Sequence, residues 1–184
     1  MKHIFENEES TEAVLLVDAS NAFNSVNRRL FLHNINVVCP VLATFVNNCY
    51  SSDSRLFVAG GGEIKSREGT TQGDPVAMAT YAIATIPLIL MLLEFSEKEH
   101  LSTKSAAYAD DITAAGNLRA LRRWWDKLCE IGPKFGYFPN PGKTWIITTD
   151  ELLPLAKEIF EDTGVKITFS GYFNTSVFLI KIFP

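Results

Sequence analysis

Tyr108-Ala109-Asp110-Asp111 sets two carboxylates side by side between two short apolar runs, Ser105 to Tyr108 and Ile112 to Ala115. That pattern predicts a hairpin with its charges at the tip. Neighbouring strand residues face opposite ways, but a tight turn can aim both carboxylates toward one point. Anions held that close repel, and protonation of one or capture of a divalent cation relieves the repulsion. A third carboxylate arrives from elsewhere. Ala13–Val17 is a continuous apolar run of the kind expected for a strand buried on both faces, and it ends at Asp18. Were the first strand to lie beside this hairpin, Asp18 would meet Asp110 and Asp111. Three carboxylates make an all-oxygen set suited to Mg²⁺ or Mn²⁺, and such a set can hold two ions about 3.5 to 4 Å apart. Phosphoryl transfer is the chemistry that arrangement serves.

The elements that must position these residues are legible in outline. After Asp18, residues 19–24 read as a turn leading to a helix from Asn27 to Val38. A second helix runs from Val41 to Tyr50, broken from the first at Cys39-Pro40 because proline suits a first helical turn and not an interior. Arg55 to Ala59 and Glu63 to Arg67 flank three glycines as a hairpin. Glu68 to Pro75 is a loop entering a long apolar helix, with Asp74 as its N-cap and Pro75 at the first position. From Val76 to Leu93 no residue is charged. That length borders on a membrane span, but Thr80, Thr85 and Pro87 interrupt it and no Lys/Arg cluster flanks it, so it reads as a buried core helix. An amphipathic helix over Leu118–Ile131 carries Arg119, Arg122, Arg123 and Lys127, a face that reads as solvated before it reads as a nucleic-acid contact. Trp124 and Trp125 read as a core anchor and its neighbour. Trp145–Thr148 is a strand, Glu151–Asp162 a helix and Val165–Phe169 a strand. The order describes an α+β domain, an antiparallel sheet with helices packed on one face, of split βαβ type.

Composition narrows the class. A chain of 184 residues that is 47% hydrophobic can bury a real core. Its formal charge of −4 is unlike that of a self-sufficient nucleic-acid binder, whose basic stripe neutralises phosphates. Cys39, Cys49 and Cys129 have neither CxxC spacing nor an even count, so neither zinc nor a disulfide framework is implied. The acidic N-terminus lacks the apolar core of a signal peptide, and an intracellular, unsecreted protein with no membrane partner is expected. Gly142-Lys143-Thr144 ends like a phosphate-binding loop, but five residues separate Gly136 from Gly142 where four are required, and two of them are prolines without amide donors.

Taken together, the ordered segments resemble the palm of a reverse transcriptase, an RNA-directed DNA polymerase of the retroelement kind. Val17-Asp18 through Ala22-Phe23 resembles the family's first catalytic motif and Gly69 through Asp74-Pro75 its second. Tyr108-Ala109-Asp110-Asp111 resembles the third, and Gly136 through Lys143-Thr144 the fourth. The resemblance implies a polymerase palm in which Asp18 and Asp110 ligate two Mg²⁺ or Mn²⁺ ions, Asp111 supports them and the Ala19 carbonyl completes one shell. It implies that Phe23 blocks a ribose 2′-hydroxyl, that Gln72 and Gly73 contact the incoming nucleotide and templating pair, and that Lys143 serves the pyrophosphate. Plain alternatives are a packed core phenylalanine for Phe23 and a solvated lysine for Lys143. The implied partners are an RNA or DNA template with its primer and deoxynucleoside triphosphates.

The departures are equally specific. The family's basic fingers should precede the first motif, yet only residues 1–17 precede Asp18. No thumb follows Phe169-Ser170-Gly171-Tyr172, which resembles the start of a primer-gripping hairpin. The expected organisation is therefore a stub over residues 1–12, a palm over 13–170 with fingers and thumb largely missing or supplied by another domain, and an atypical apolar tail over 171–184. Such a fragment would have little activity alone. A non-catalytic relic and a small protein anchored in a membrane by residues 76–93 are the competing readings.

Overall fold

The computed structural model describes residues 11–71 and 73–169. The expectations about residues 1–10, Gln72 and the tail from 170 onward lie outside the described residues. The chain forms two compact units. Among the described residues one comprises 11–18, Leu92–Leu128 and 139–169; the other comprises residues 19–71, 73–91 and Cys129–Phe138.

The first unit is built on a five-stranded sheet. Its strands are β1 (Ala13–Val17), β4 (Lys104–Tyr108), β5 (Asp111–Gly116), β6 (Trp145–Thr148) and β7 (Lys166–Phe169), in the order β4-β5-β1-β6-β7. The apolar run at 13–17 is the central strand. It pairs antiparallel with β5 on one side, Val17 opposite Ile112, and with β6 on the other, Ala13 opposite Thr148. The first strand thus does lie beside the second hairpin. Burial along β1 alternates, with Ala13, Leu15 and Val17 fully buried and Val14 and Leu16 only half-buried. A strand closed on both faces was expected, and one face is closed. The sheet is mixed, because β6 and β7 run parallel. Helix α6 (Leu153–Phe160) is the reason: a crossover through a helix returns the chain in its original direction, as a tight turn cannot. Glu12 is tied in ahead of β1, its N–H donating to the Gly116 carbonyl and its carboxylate accepting from the Leu118 N–H.

Helix α5 (Leu118–Ile131) buries both Trp124 and Trp125. Within the first unit three of its basic residues, Arg122, Arg123 and Lys127, have partners. The Arg122 guanidinium forks onto Asp162 and Asp126 and caps the Ile159 carbonyl, Arg123 pairs with Glu99, and the Lys127 ammonium lies 5.5 Å above the Phe95 ring. Three of the four basic residues of this face thus make contacts within the unit, while Arg119 is exposed.

The second unit holds a short helix α1 (Ala22–Ser25), then α2 (Arg28–Val38) and α3 (Pro40–Tyr50), the hairpin of β2 (Ser54–Val58) with β3 (Gly62–Ser66), and the first turns of α4 (Ala77–Lys98). Asn27 caps α2, its side-chain oxygen accepting from the Leu30 N–H, and Pro40 opens α3. The turn expected over 19–24 contains α1, whose single turn is too brief for a periodic signal. Every residue of β2 and all but the last of β3 is exposed.

Helix α4 departs from its expected role as a fully buried core element. Tyr81, Ala84, Leu88 and Leu92 are buried at helical spacing, but Met78, Ile86, Leu90, Met91 and Leu93 are exposed. It is the one helix among the described residues long and apolar enough to cross a membrane, and 39% of its most apolar window is buried. The Thr80 and Thr85 hydroxyls within it are satisfied by the helix itself, each donating to carbonyls three and four residues back.

Candidate metal centre

Asp18 follows the last residue of β1, and its peptide is held from both sides by a loop of the same unit. The Asp18 carbonyl accepts the Asn140 N–H at 2.8 Å, and the Asp18 N–H points to the Thr144 hydroxyl at 3.4 Å. Thr144 is fully buried and its hydroxyl donates to the Asn140 carbonyl at 2.8 Å. Asn140 and Thr144 were not picked out from sequence. The Pro139-Asn140-Pro141-Gly142 turn signal marked a bend there, but only the long-range pairing of β1 with β6 brings that bend to Asp18.

Across the sheet, Tyr108 pairs with Asp111 and closes a two-residue turn of Ala109 and Asp110. Ala109 takes φ +54°, a conformation in which glycine is usual, so the tip carries backbone strain of the kind stored where side chains must be aimed. Because Val17 is opposite Ile112, the end of β1 that carries Asp18 lies beside this tip.

The electrostatics register that proximity. The Asp111 carboxyl is pushed above the usual carboxylate value, first by partial desolvation and then by the charges of Asp110 and Asp18. Asp18 Oδ2 is buried and accepts no hydrogen bond; the Lys143 ammonium stands 4.0 Å away, beyond hydrogen-bond reach. A bare buried carboxylate oxygen is costly and calls for a positive partner. The donor chemistry therefore fits a hard divalent cation. Among the described residues, however, no three acidic, histidine or cysteine side chains are gathered into a metal-holding group. The three aspartates feel one another's charge without forming a closed cage.

A pH dependence follows. In the unfolded chain Asp111 loses its proton near pH 3.8, and in the folded protein it does so at higher pH. Between those values the folded state binds more protons, so Asp111 lowers stability as pH rises through the window, and the penalty persists above it. Asp111→Asn is expected to melt above the wild type at pH 7, with the gap closing by pH 3. Thermal melts at both pH values check this.

The remaining candidates divide between the units. Lys143 belongs with Asp18 in the first. Ala19, Phe23, Gly73, Asp74 and Pro75 belong to the second, and Gln72 lies outside the described residues. Ala19 is buried. The half-buried Phe23 ring packs on Tyr81, centroids 4.7 Å apart. Gly73 takes φ +90° with open space where a Cβ would stand. Asp74 caps the entrance to α4 by accepting the Val76 N–H at 2.9 Å.

The architecture is shared with a known group of enzymes. No family model matches the chain, nor does any curated protein. Solved structures do. Apo telomerase from Candida tropicalis superposes with a TM-score of 0.62 at 12% identity, covering 80% of this chain and 30% of that one. Telomerase from Candida albicans in complex with a TWJ fragment of telomeric RNA gives 0.61 at 11%, covering 81% and 30%. Candida tropicalis telomerase truncated from its C-terminal domain gives 0.59 at 14%, covering 80% and 33%. The chain thus spans about a third or less of these neighbours. At such identities the likeness is one of fold: the chain has an α+β, distantly reverse transcriptase-like fold.

Proposed function

We propose that this chain is the palm of an RNA-directed DNA polymerase of the retroelement kind, transferring nucleotides from deoxynucleoside triphosphates to a primer 3′-hydroxyl on an RNA or DNA template. The observation that carries this reading is the pairing of β1 with β5, which sets Asp18 beside the Asp110-Asp111 turn closely enough for its charge to act on Asp111. In this reading Asp18 and Asp110 hold two Mg²⁺ or Mn²⁺ ions, with Asp111 and the Ala19 carbonyl in support. When bound, such ions activate a hydroxyl nucleophile and stabilise departing pyrophosphate. Asn140 and Thr144 hold the Asp18 peptide still. Lys143 supplies positive charge to the leaving group from its place 4.0 Å from Asp18. On the same reading, Phe23 has the role of excluding a ribose 2′-hydroxyl, and Gln72 and Gly73 that of contacting the incoming nucleotide. The clamps on template and primer, which this acidic chain does not supply, come from outside it.

The test is Mg²⁺- or Mn²⁺-dependent extension of a DNA primer on an RNA template, with circular dichroism to show that wild type and Asp110→Asn both fold. Extension by the wild type alone supports the reading. A folded wild type that neither extends the primer nor gains thermal stability from either cation would favour a relic without catalysis, the reading favoured by the open spacing of the three carboxylates.

A further inference from the structure

Arg28 is the first residue of α2 and is only 5% exposed, an unusual place for a guanidinium. The hydrogen bonds of its guanidinium all run to Ser66, Glu68 and Gly69, three of the four to backbone carbonyls. Nη1 donates to the Ser66 carbonyl at 2.8 Å, Nη2 to the Ser66 hydroxyl at 3.0 Å and the Glu68 carbonyl at 2.9 Å, and Nε to the Gly69 carbonyl at 3.1 Å. The Arg28 N–H donates to the Glu68 carboxylate at 3.0 Å. The next residues are pinned to the segment before α2: the Gly69 N–H donates to the Val26 carbonyl at 2.9 Å and the Thr70 N–H to the Phe23 carbonyl at 2.7 Å. A Cβ on Gly69 would stand 2.3 Å from the Asn24 backbone, so the approach admits only glycine.

Tyr50 closes the other side. Its ring lies beneath the Arg28 guanidinium, 5.4 Å from centroid to Cζ, and edge-on to Phe31. Its hydroxyl accepts the Thr71 N–H at 3.2 Å and donates to the Asp74 carboxylate. Burial first, and then donation to Asp74, push its phenol above the usual value, so it stays a donor through the neutral range. Ser66, Glu68, Gly69, Thr70, Thr71 and Asp74 are thus each tied down, whereas Gly73 is exposed with nothing packed against it.

We propose that Arg28 and Tyr50 are positioning residues that hold the backbone from Ser66 to Thr71, together with Asp74, as a rigid arch presenting Gly73 to a ligand and seating the Phe23 backbone at its base. In the polymerase reading, on which its functional sense rests, the ligand is the incoming nucleotide. A guanidinium that satisfies three carbonyls and a hydroxyl cannot be replaced by an ammonium, which lacks the planar fork.

The test joins amide hydrogen exchange to kinetics for Tyr50→Phe and Arg28→Lys. Phenylalanine keeps the packing on Phe31 and loses only the hydroxyl. Expected for Tyr50→Phe is exchange at Thr71 faster by about tenfold with β5 unchanged, and for Arg28→Lys the same over 66–70. The KM for deoxynucleotide should rise about tenfold with kcat within roughly twofold. Unchanged exchange in the arch, exchange raised equally in β5, or a loosened arch with unaltered KM would each overturn the proposal. A wild type that neither extends a primer nor gains thermal stability from Mg²⁺ or Mn²⁺, while the arch responds as stated, would sink the polymerase reading and leave the clasp standing.

Discussion

Asp18→Asn is expected to fold, to melt no lower than the wild type, and to lose primer extension by roughly 10³-fold or more, the scale at which loss of one charge at a reacting centre acts. Asparagine keeps the shape of the side chain and removes the charge. Asp18 Oδ2 takes no hydrogen bond and its ion pair with the exposed Lys143 is long, so the substitution gives up little stabilising contact at that oxygen. The Asp18 backbone bonds to Asn140 and Thr144 are untouched by the substitution. Any rise in wild-type melting temperature on adding Mn²⁺ should vanish in the variant, since mass action stabilises only a folded state that binds the ion. Calorimetry beside primer extension separates the two effects. Retained extension by Asp18→Asn would remove Asp18 from the chemistry altogether.

Gly136→Ala is expected to cost on the order of 3 kcal/mol or more, a drop in melting temperature of about 6 to 12 °C for a chain of this size. Gly136 ends a 3-10 turn (Gly132–Phe135) at φ +75°. An added Cβ would stand 2.0 Å from the Ser25 carbonyl oxygen and 2.6 Å from the Asn27 nitrogen. Neither can step aside. The Asn27 N–H is bonded to the Phe135 carbonyl and the Val26 carbonyl to the Gly69 N–H, and Asn27 is the cap of α2. Gly73→Ala is the control: its φ is also positive but the space around it is open, so only the conformational cost of about 1 to 2 kcal/mol applies. Comparable melting temperatures for the two variants would show that the close approach at Gly136 does not constrain the fold.

What the sequence disclosed and what it hid divide along the range of the signal. The strand at Ala13–Val17, the helix beginning near Asn27, the break at Pro40 and the hairpin with Asp110 and Asp111 at its turn are local patterns, and each is found where expected. Asp18 was legible because an apolar run that stops on a carboxylate is unusual within a few residues. Arg28 was not, because an arginine at a helix start reads as solvent-exposed until four acceptors from residues 66–69 are known to surround it. The Tyr50 hydroxyl, Asn140 and Thr144 share that history: each acts on a partner far away in the chain or through a single polar atom that composition does not register. The exposed half of α4 was hidden for the opposite reason, since an uncharged run tells its hydropathy and not which side is covered. The parallel β6–β7 pair was implicit in a strand, helix, strand order and follows once the helix is treated as a crossover.

The place of β1 in the sheet also sets a timetable for biosynthesis. The strand emerges from the ribosome before both of its neighbours, β5 at 111–116 and β6 at 145–148. Until those residues are made, Ala13–Val17 is an unpaired, strongly apolar segment, the kind of template that recruits chaperones or other nascent chains. Such distant pairings also make closure of the sheet slow once synthesis is complete. The β1–β5 pairing that brings Asp18 to Asp110 and Asp111 becomes possible once residue 116 is made, whereas the Asn140 and Thr144 contacts that hold the Asp18 peptide come only with the later segment, so a ribosome stalled before residue 140 would release a chain whose Asp18 peptide lacks both supports.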